Sequence, residues 1–140
     1  MHIRKLTPDY AVSPQITPAD LPAIAAAGFK TILCNRPDAE IPADLQAASL
    51  RAATEAAGLT FVENPVTHGA MTLALIELQA QTIAGPGPVL AYCASGTRST
   101  VVWMFGQAHS VPSDTLISAA AEAGYQLEGL RPQLDSAFKG

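Results

Sequence analysis

Two cysteines in 140 residues are too few for a disulfide framework. A reducing cytosol is therefore the expected compartment, and Cys34 and Cys93 each need another reason to be present. Charge is scarce as well. Only 14% of the residues are charged, the net charge is −4, and the eight basic residues are scattered rather than clustered, so nothing points to a nucleic-acid partner. No apolar run approaches the roughly 20 residues that cross a bilayer. The opening MHIRKLTPDY has a charged start but no apolar stretch after it, which excludes a signal peptide and leaves a soluble, cytoplasmic chain without a membrane partner as the expectation. The three histidines and the two cysteines have no metal-ligand spacing, so neither metal nor cofactor is expected. There is no internal repeat, linker or low-complexity segment. Oligomeric state is left open.

What is present reads as one domain over residues 1–140, about half of it hydrophobic and long enough to bury a core. Tyr10 to Gln15 predicts a first short strand, stopped by Pro14. A helix then starts behind Thr17, with Pro18 at its first position, and closes at Gly28. Phe29 to Asn35 predicts a strand and NRPDAEIP a turn-rich connection, in which Arg36 and Asp38 are expected to brace each other. ADLQAASLRAATEAAG predicts a helix with Leu45, Ala48, Ala52 and Ala56 on one face. A strand over Leu59 to Pro65, a helix ending near Gly85 and a buried strand GPVLAYC follow. Helices are then expected over Ser99 to Ala108 and over Ser113 to Ala123, the latter capped by Ser113. A short terminal helix should be anchored by Leu127, Leu130, Leu134 and Phe138. Strand and helix in alternation predict an α/β fold with a mostly parallel central sheet flanked by helices.

The chemistry concentrates in VLAYCASGTRST. Ligands of parallel α/β sheets bind at the carboxyl ends of strands, and Cys93 stands there with a helix N-terminus following. That N-terminus attracts anions and favours a thiolate. Gly96 lets the loop curl, and Arg98 adds a planar fork for two oxygens of an oxyanion. Ser95, Thr97 and Ser99 supply hydroxyls. Most free cysteines are merely small buried hydrophobes, but Gly96 and Arg98 at this spacing favour a nucleophile in an anion cradle.

CASGTRS resembles the C-x-x-G-x-R-S loop of rhodanese-type sulfurtransferases. It is also similar to the C-x5-R loop of cysteine phosphatases with one residue missing. VSPQITPADLPAIAAAGFKTILCNRPDAE resembles the start of the dual-specificity phosphatase fold, and no rhodanese D-x-R…G-H-I pattern occurs. With NRPDAE and AGYQLEGLRP, almost the whole chain resembles the bacterial family called beta-lactamase hydrolase-like protein, phosphatase-like domain. The resemblance implies a cysteine-phosphatase-like fold, Cys93 as nucleophile and Arg98 as oxyanion clamp. It also implies the amides of Ala94, Ser95, Gly96, Thr97 and Arg98 as the cradle, and Ser99 as a hydroxyl bonding the cysteine sulfur. Phosphatases of this fold usually draw a general-acid Asp from an earlier loop, yet no Asp lies between Asp44 and Cys93. Glu63 and His68 are the stand-ins available there.

Three functions follow. One is a phosphatase-like hydrolase forming a phosphocysteine on a Cys93 thiolate. Another is a sulfurtransferase carrying a persulfide on the same atom. The third is a non-catalytic anion-binding module. The expected substrate is a small anion, a phosphoryl or sulfane-sulfur donor. Cys34 is expected in the core, its role as a resolving thiol left open, and Trp103 is expected as a core anchor.

Overall fold

The computed structural model describes residues 2–67 and 69–140. Its centre is a five-stranded sheet of order β1-β2-β5-β3-β4, comprising β1 (Arg4–Thr7), β2 (Tyr10–Ser13), β3 (Thr31–Cys34), β4 (Thr60–Glu63) and β5 (Val89–Tyr92). β2, β5, β3 and β4 run parallel, and β1 is an antiparallel edge paired with β2. The mostly parallel α/β fold is therefore present, with one strand the sequence reading lacks. RKLT has too little apolar pattern to signal a strand, and pairing with the buried β2 is what orders it.

Two layers of helix cover the sheet. α1 (Leu21–Ala26) and α2 (Ala47–Ala56) pack on one face around Ile24, Leu50, Ile32, Leu90 and Tyr92. α4 (Thr97–Gln107), α5 (Ser113–Glu122) and α6 (Arg131–Ala137) pack on the other around Trp103, Met104, Leu116 and Leu134. α3 (Leu73–Ala84) lies beside α4. All four side chains of β5 are buried, Val89 and Ala91 toward one layer and Leu90 and Tyr92 toward the other. That two-sided burial is the reason the strand is uniformly apolar. Trp103 stacks on Tyr10 with ring centroids 6.1 Å apart, as a core anchor should.

Local expectations needed correction. α2 buries Ala47, Leu50 and Thr54, not Ala48, Ala52 and Ala56, which are exposed. Alanine lies on every side of this helix, so the single large apolar residue, Leu50, decides the buried face. Phe138 is 38% exposed, and Leu134 is the buried anchor of the tail. Ser113 is the first helical residue of α5, behind Pro112, and its hydroxyl bonds Asp135 instead of capping. No helix among the described residues is long and apolar enough to cross a membrane.

Candidate active site

β5 is the middle strand, and its carboxyl end delivers Cys93 at the foot of α4. The turn between them is made possible by Gly96, whose φ of +97° is a left-handed conformation that side-chain-bearing residues rarely adopt. In that conformation the Gly96 amide donates to Cys93 Sγ at 3.1 Å. The Gly96 carbonyl accepts from both the amide (3.0 Å) and the hydroxyl (2.8 Å) of Thr100, so the residue is fixed from both sides. Ser95 and Thr97 bond each other at 3.0 Å through their hydroxyls, and Gln15 donates from its amide to the Ala94 carbonyl at 3.3 Å. Tyr125, from the segment after α5, donates to the Ser95 carbonyl at 3.0 Å. Cys93 itself is 1% exposed.

Arg98 is the second buried element, 8% exposed on the first turn of α4. Its Nη1 and Nη2 donate to Oε2 and Oε1 of Glu40, each at 2.7 Å, and Nη1 also donates to the Val66 carbonyl at 2.8 Å. Glu40 comes from a 3-10 turn, Asp38–Glu40, beyond β3. Arg36 holds the same carboxylate at 3.3 Å and is itself bonded to Gln15. The Arg98 hydrogen bonds hold the Glu40 carboxyl below the usual carboxylate range. Glu40 likewise pushes the guanidinium up, with the Cys93 sulfur acting in the same direction. The end of the fork is thus occupied, while among the described residues nothing bonds its Nε. A side edge of Nε and Nη2 remains for a second oxyanion.

Beneath the loop lies a buried polar network. Asn35, just past β3, accepts from Ser99 Oγ at 2.8 Å and from Gln79 Nε2 at 3.0 Å. Its own amide donates to the Asn64 carbonyl and to Gln79 Oε1. Gln79 further donates to the Tyr10 hydroxyl, which donates to the Ser99 carbonyl at 2.7 Å. Burial pushes the Tyr10 phenol up, so it stays a neutral donor. Ser99 is therefore not the partner of the cysteine sulfur. Its one hydroxyl hydrogen goes to the buried Asn35 oxygen, which accepts from Gln79 as well.

Other sequence candidates separate from the loop. Glu63 is exposed and pairs with Arg51 of α2 at 3.8 Å, and it does not line the cleft. His68 lies outside the described residues. Arg36 and Asp38 do not brace each other, because Asp38 accepts from the Ala47 amide at 2.8 Å and Arg36 turns to Glu40. Cys34 is core, opposite Tyr92 in register, and burial pushes its thiol up. Glu40, Asn35, Gln79 and Tyr125 were not legible as site residues. Glu40 carried the only signal, a carboxylate in a turn following a strand that neighbours β5.

A cleft of about 460 Å³ opens beside this loop, with Val66, Thr67 and Met71 on one side and Ala94, Ser95, Thr97 and Arg98 on the other. A cavity of about 480 Å³ at the amino ends of the strands, between Lys5, Thr7, Tyr10 and Pro88, holds no nucleophile and is the weaker candidate despite its size.

Known proteins resemble this arrangement over its whole length. A candidate phosphatase from Neisseria meningitidis is 41% identical and superposes with a TM-score of 0.86, over 98% of this chain and 99% of its own. The core catalytic domain of the PP-IP phosphatase SIW14 from S. cerevisiae, in complex with citrate, is only 13% identical. It superposes with a TM-score of 0.69 over 99% of this chain and 85% of its own. The fold is that of the cysteine phosphatases. The beta-lactamase hydrolase-like protein of Agrobacterium fabrum is 37% identical over 91 residues, 64% of this chain, which spans about a fifth (21%) of that relative's length. Residues 2–110 match the family model of the beta-lactamase hydrolase-like protein, phosphatase-like domain, and the chain belongs to that family.

Proposed function

We propose that the chain acts as one phosphatase-like unit, a cysteine-dependent hydrolase of small phosphate esters. The sulfur of Cys93, as thiolate, attacks phosphorus as the ester P–O bond breaks, and the leaving oxygen takes its proton from solvent. Water then attacks the phosphocysteine, and its P–S bond breaks to release orthophosphate and the thiolate. The loop amides and the free Nε–Nη2 edge of Arg98 stabilise the transferring oxyanion, the charge-aimed donors that acyl- and phosphoryl-transfer sites use. One observation carries the reading: a buried cysteine and a buried arginine lie at the two ends of one loop. The arginine is oriented by a carboxylate at its far edge. That relatives of this fold are phosphatases, one of them holding citrate, supports a small anionic substrate.

The loop length keeps a second reading. Four residues stand between Cys93 and Arg98, one fewer than in the C-x5-R pattern, and a narrower ring suits a single sulfur better than a phosphoryl group. In that chemistry the thiolate attacks the outer sulfur of thiosulfate, the S–S bond breaks, sulfite leaves, and the persulfide passes to a thiol acceptor. Single-turnover reactions with an aryl phosphate and with thiosulfate, followed by intact mass, separate the two. A phosphoryl adduct absent from the Cys93→Ala protein is expected. A sulfur adduct alone overturns the hydrolase reading, and neither adduct points to a non-catalytic module.

A further inference from the structure

β1 is the strand that runs against its neighbour β2, so its first residue, Arg4, pairs with Val12 near the carboxyl end of β2. That is the end of the sheet that carries the Cys93 loop. A cavity of about 260 Å³ opens there, lined by His2, Arg4, Pro14, Ser95, Gly124 and Tyr125. Ser95 borders both this cavity and the Arg98 cleft, so one loop residue divides them. Arg4 donates from Nη1 to the Ala123 carbonyl at 3.0 Å, and among the described residues no carboxylate pairs with it. No Asp or Glu lines the cavity. Gly124 admits the guanidinium against the backbone, because a Cβ there would stand 2.9 Å from Nη1. The Tyr125 phenol, which lines this cavity and bonds the Ser95 carbonyl, is raised chiefly by burial, with Cys93 adding to that and Arg4 opposing it, so it lies within the field of both.

We propose that Arg4 forms a second anion subsite beside the reacting centre, and that the substrate carries a second anionic group reaching over Ser95 toward Tyr125. This rests on the phosphatase-like reading of the Cys93 site. Arg4 is exposed, so its guanidinium, without a carboxylate partner and in a pocket without carboxylates, is open to an anion arriving from solvent. The site then selects esters with two separated negative groups over simple ones.

The test compares phenyl phosphate with 3-carboxyphenyl and 4-carboxyphenyl phosphate in the wild type, Arg4→Gln and Arg4→Lys. Arg4→Gln is expected to lower the ratio of kcat/KM for the better carboxylated ester to that for phenyl phosphate by about tenfold, mainly through KM. Arg4→Lys should retain part of that ratio, and added salt should erode it in the wild type. An equal fall for all esters would reduce Arg4 to a cap on α5, and an unchanged ratio would remove the subsite. No turnover of phenyl phosphate by the wild type refutes the hydrolase reading instead. Calorimetry in the Cys93→Ser background decides the subsite independently of turnover. Pyrophosphate should bind tighter than orthophosphate there, and Arg4→Gln should abolish the difference. Equal binding of the two anions overturns the proposal.

Discussion

Glu40 grips Arg98 end-on, one carboxylate oxygen at 2.7 Å from each terminal nitrogen, with Arg98 8% exposed. The grip orients the fork and leaves its side edge for an oxyanion. Glu40→Gln should lower kcat/KM by roughly 10- to 100-fold, consistent with about 1.5–3 kcal/mol for a hydrogen bond to a charged group. Arg98→Lys should do at least as much harm, because an ammonium cannot hold the Glu40 carboxylate, the Val66 carbonyl and a substrate oxyanion together. Steady-state kinetics on an aryl phosphate checks both, and wild-type turnover in the lysine variant would count against the clamp.

The same pair sets a pH dependence of stability. Arg98 holds the Glu40 pKa below its unfolded value, so as pH falls the unfolded chain takes up the proton first. The contribution is fully present above the ordinary carboxylate pKa and is lost as pH drops through it toward the lower folded value. Denaturant titrations of the wild type and Glu40→Gln should show a stability gap that is constant from neutral pH down to about pH 5.5. The gap should close in more acidic solution. A gap that widens with acid would contradict the pairing.

Gly96→Ala places two faults in the loop. The φ of +97° disfavours any Cβ, and the new methyl would stand 2.0 Å from the Tyr125 hydroxyl. Strain of about 1–2 kcal/mol adds to the displacement of Tyr125. Adding Tyr125→Ala should recover the steric part of the lost stability and leave the backbone part, as a double-mutant cycle would read. Full recovery would mean that the left-handed turn matters little.

Gln79 is the hub beneath the loop, accepting from both Asn35 and Asn64 through one oxygen. Gln79→Leu leaves two buried amide hydrogens without that acceptor. Each unsatisfied group costs about 1–3 kcal/mol, so a loss of at least about 2 kcal/mol is expected in denaturant unfolding at unchanged m. Activity should fall as well, because Ser99 and the start of α4 hang on Asn35. A neutral result would show that the network tolerates a gap.

No carboxylate lines the cleft among the described residues, and Glu40 is committed to Arg98 and ionised near neutral pH. General acids are commonly worth 10²–10⁴ in rate. Aryl esters, whose leaving groups need less protonation, should therefore exceed alkyl esters by about a hundredfold or more, with a steep dependence on leaving-group pKa. A flat dependence would reveal an acid, and His68→Ala would be the first variant to make. Glu63→Gln is expected to be silent, since Glu63 faces Arg51.

The alternation of elements and the loop itself were legible because their causes are local. A strand buried on both faces must be apolar throughout, as Val89–Tyr92 is. A left-handed turn calls for glycine, as at Gly96. A cysteine and an arginine five positions apart, between an apolar strand and a helix, stand out as a loop of their own in the sequence. The alanines of α2 told less, because a residue that fits every face marks none. What surrounds the loop was decided by tertiary structure alone. Glu40 reaches Arg98 across 58 positions of chain, and Gln79 reaches Tyr10 across 69. Glu40 and Arg98 meet because the parallel strands β3 and β5 gather their carboxyl ends at one edge of the sheet. Gln79 of α3 reaches Tyr10, at the amino end of β2, only through the packing of helix on sheet. Ser99 illustrates the limit: its motif suggested the cysteine sulfur, and the oxygen of a buried asparagine, 64 positions away in the chain, took its hydrogen. Arg4 is the other case, carried to that edge by an antiparallel strand that exists only because β2 is there to pair with it.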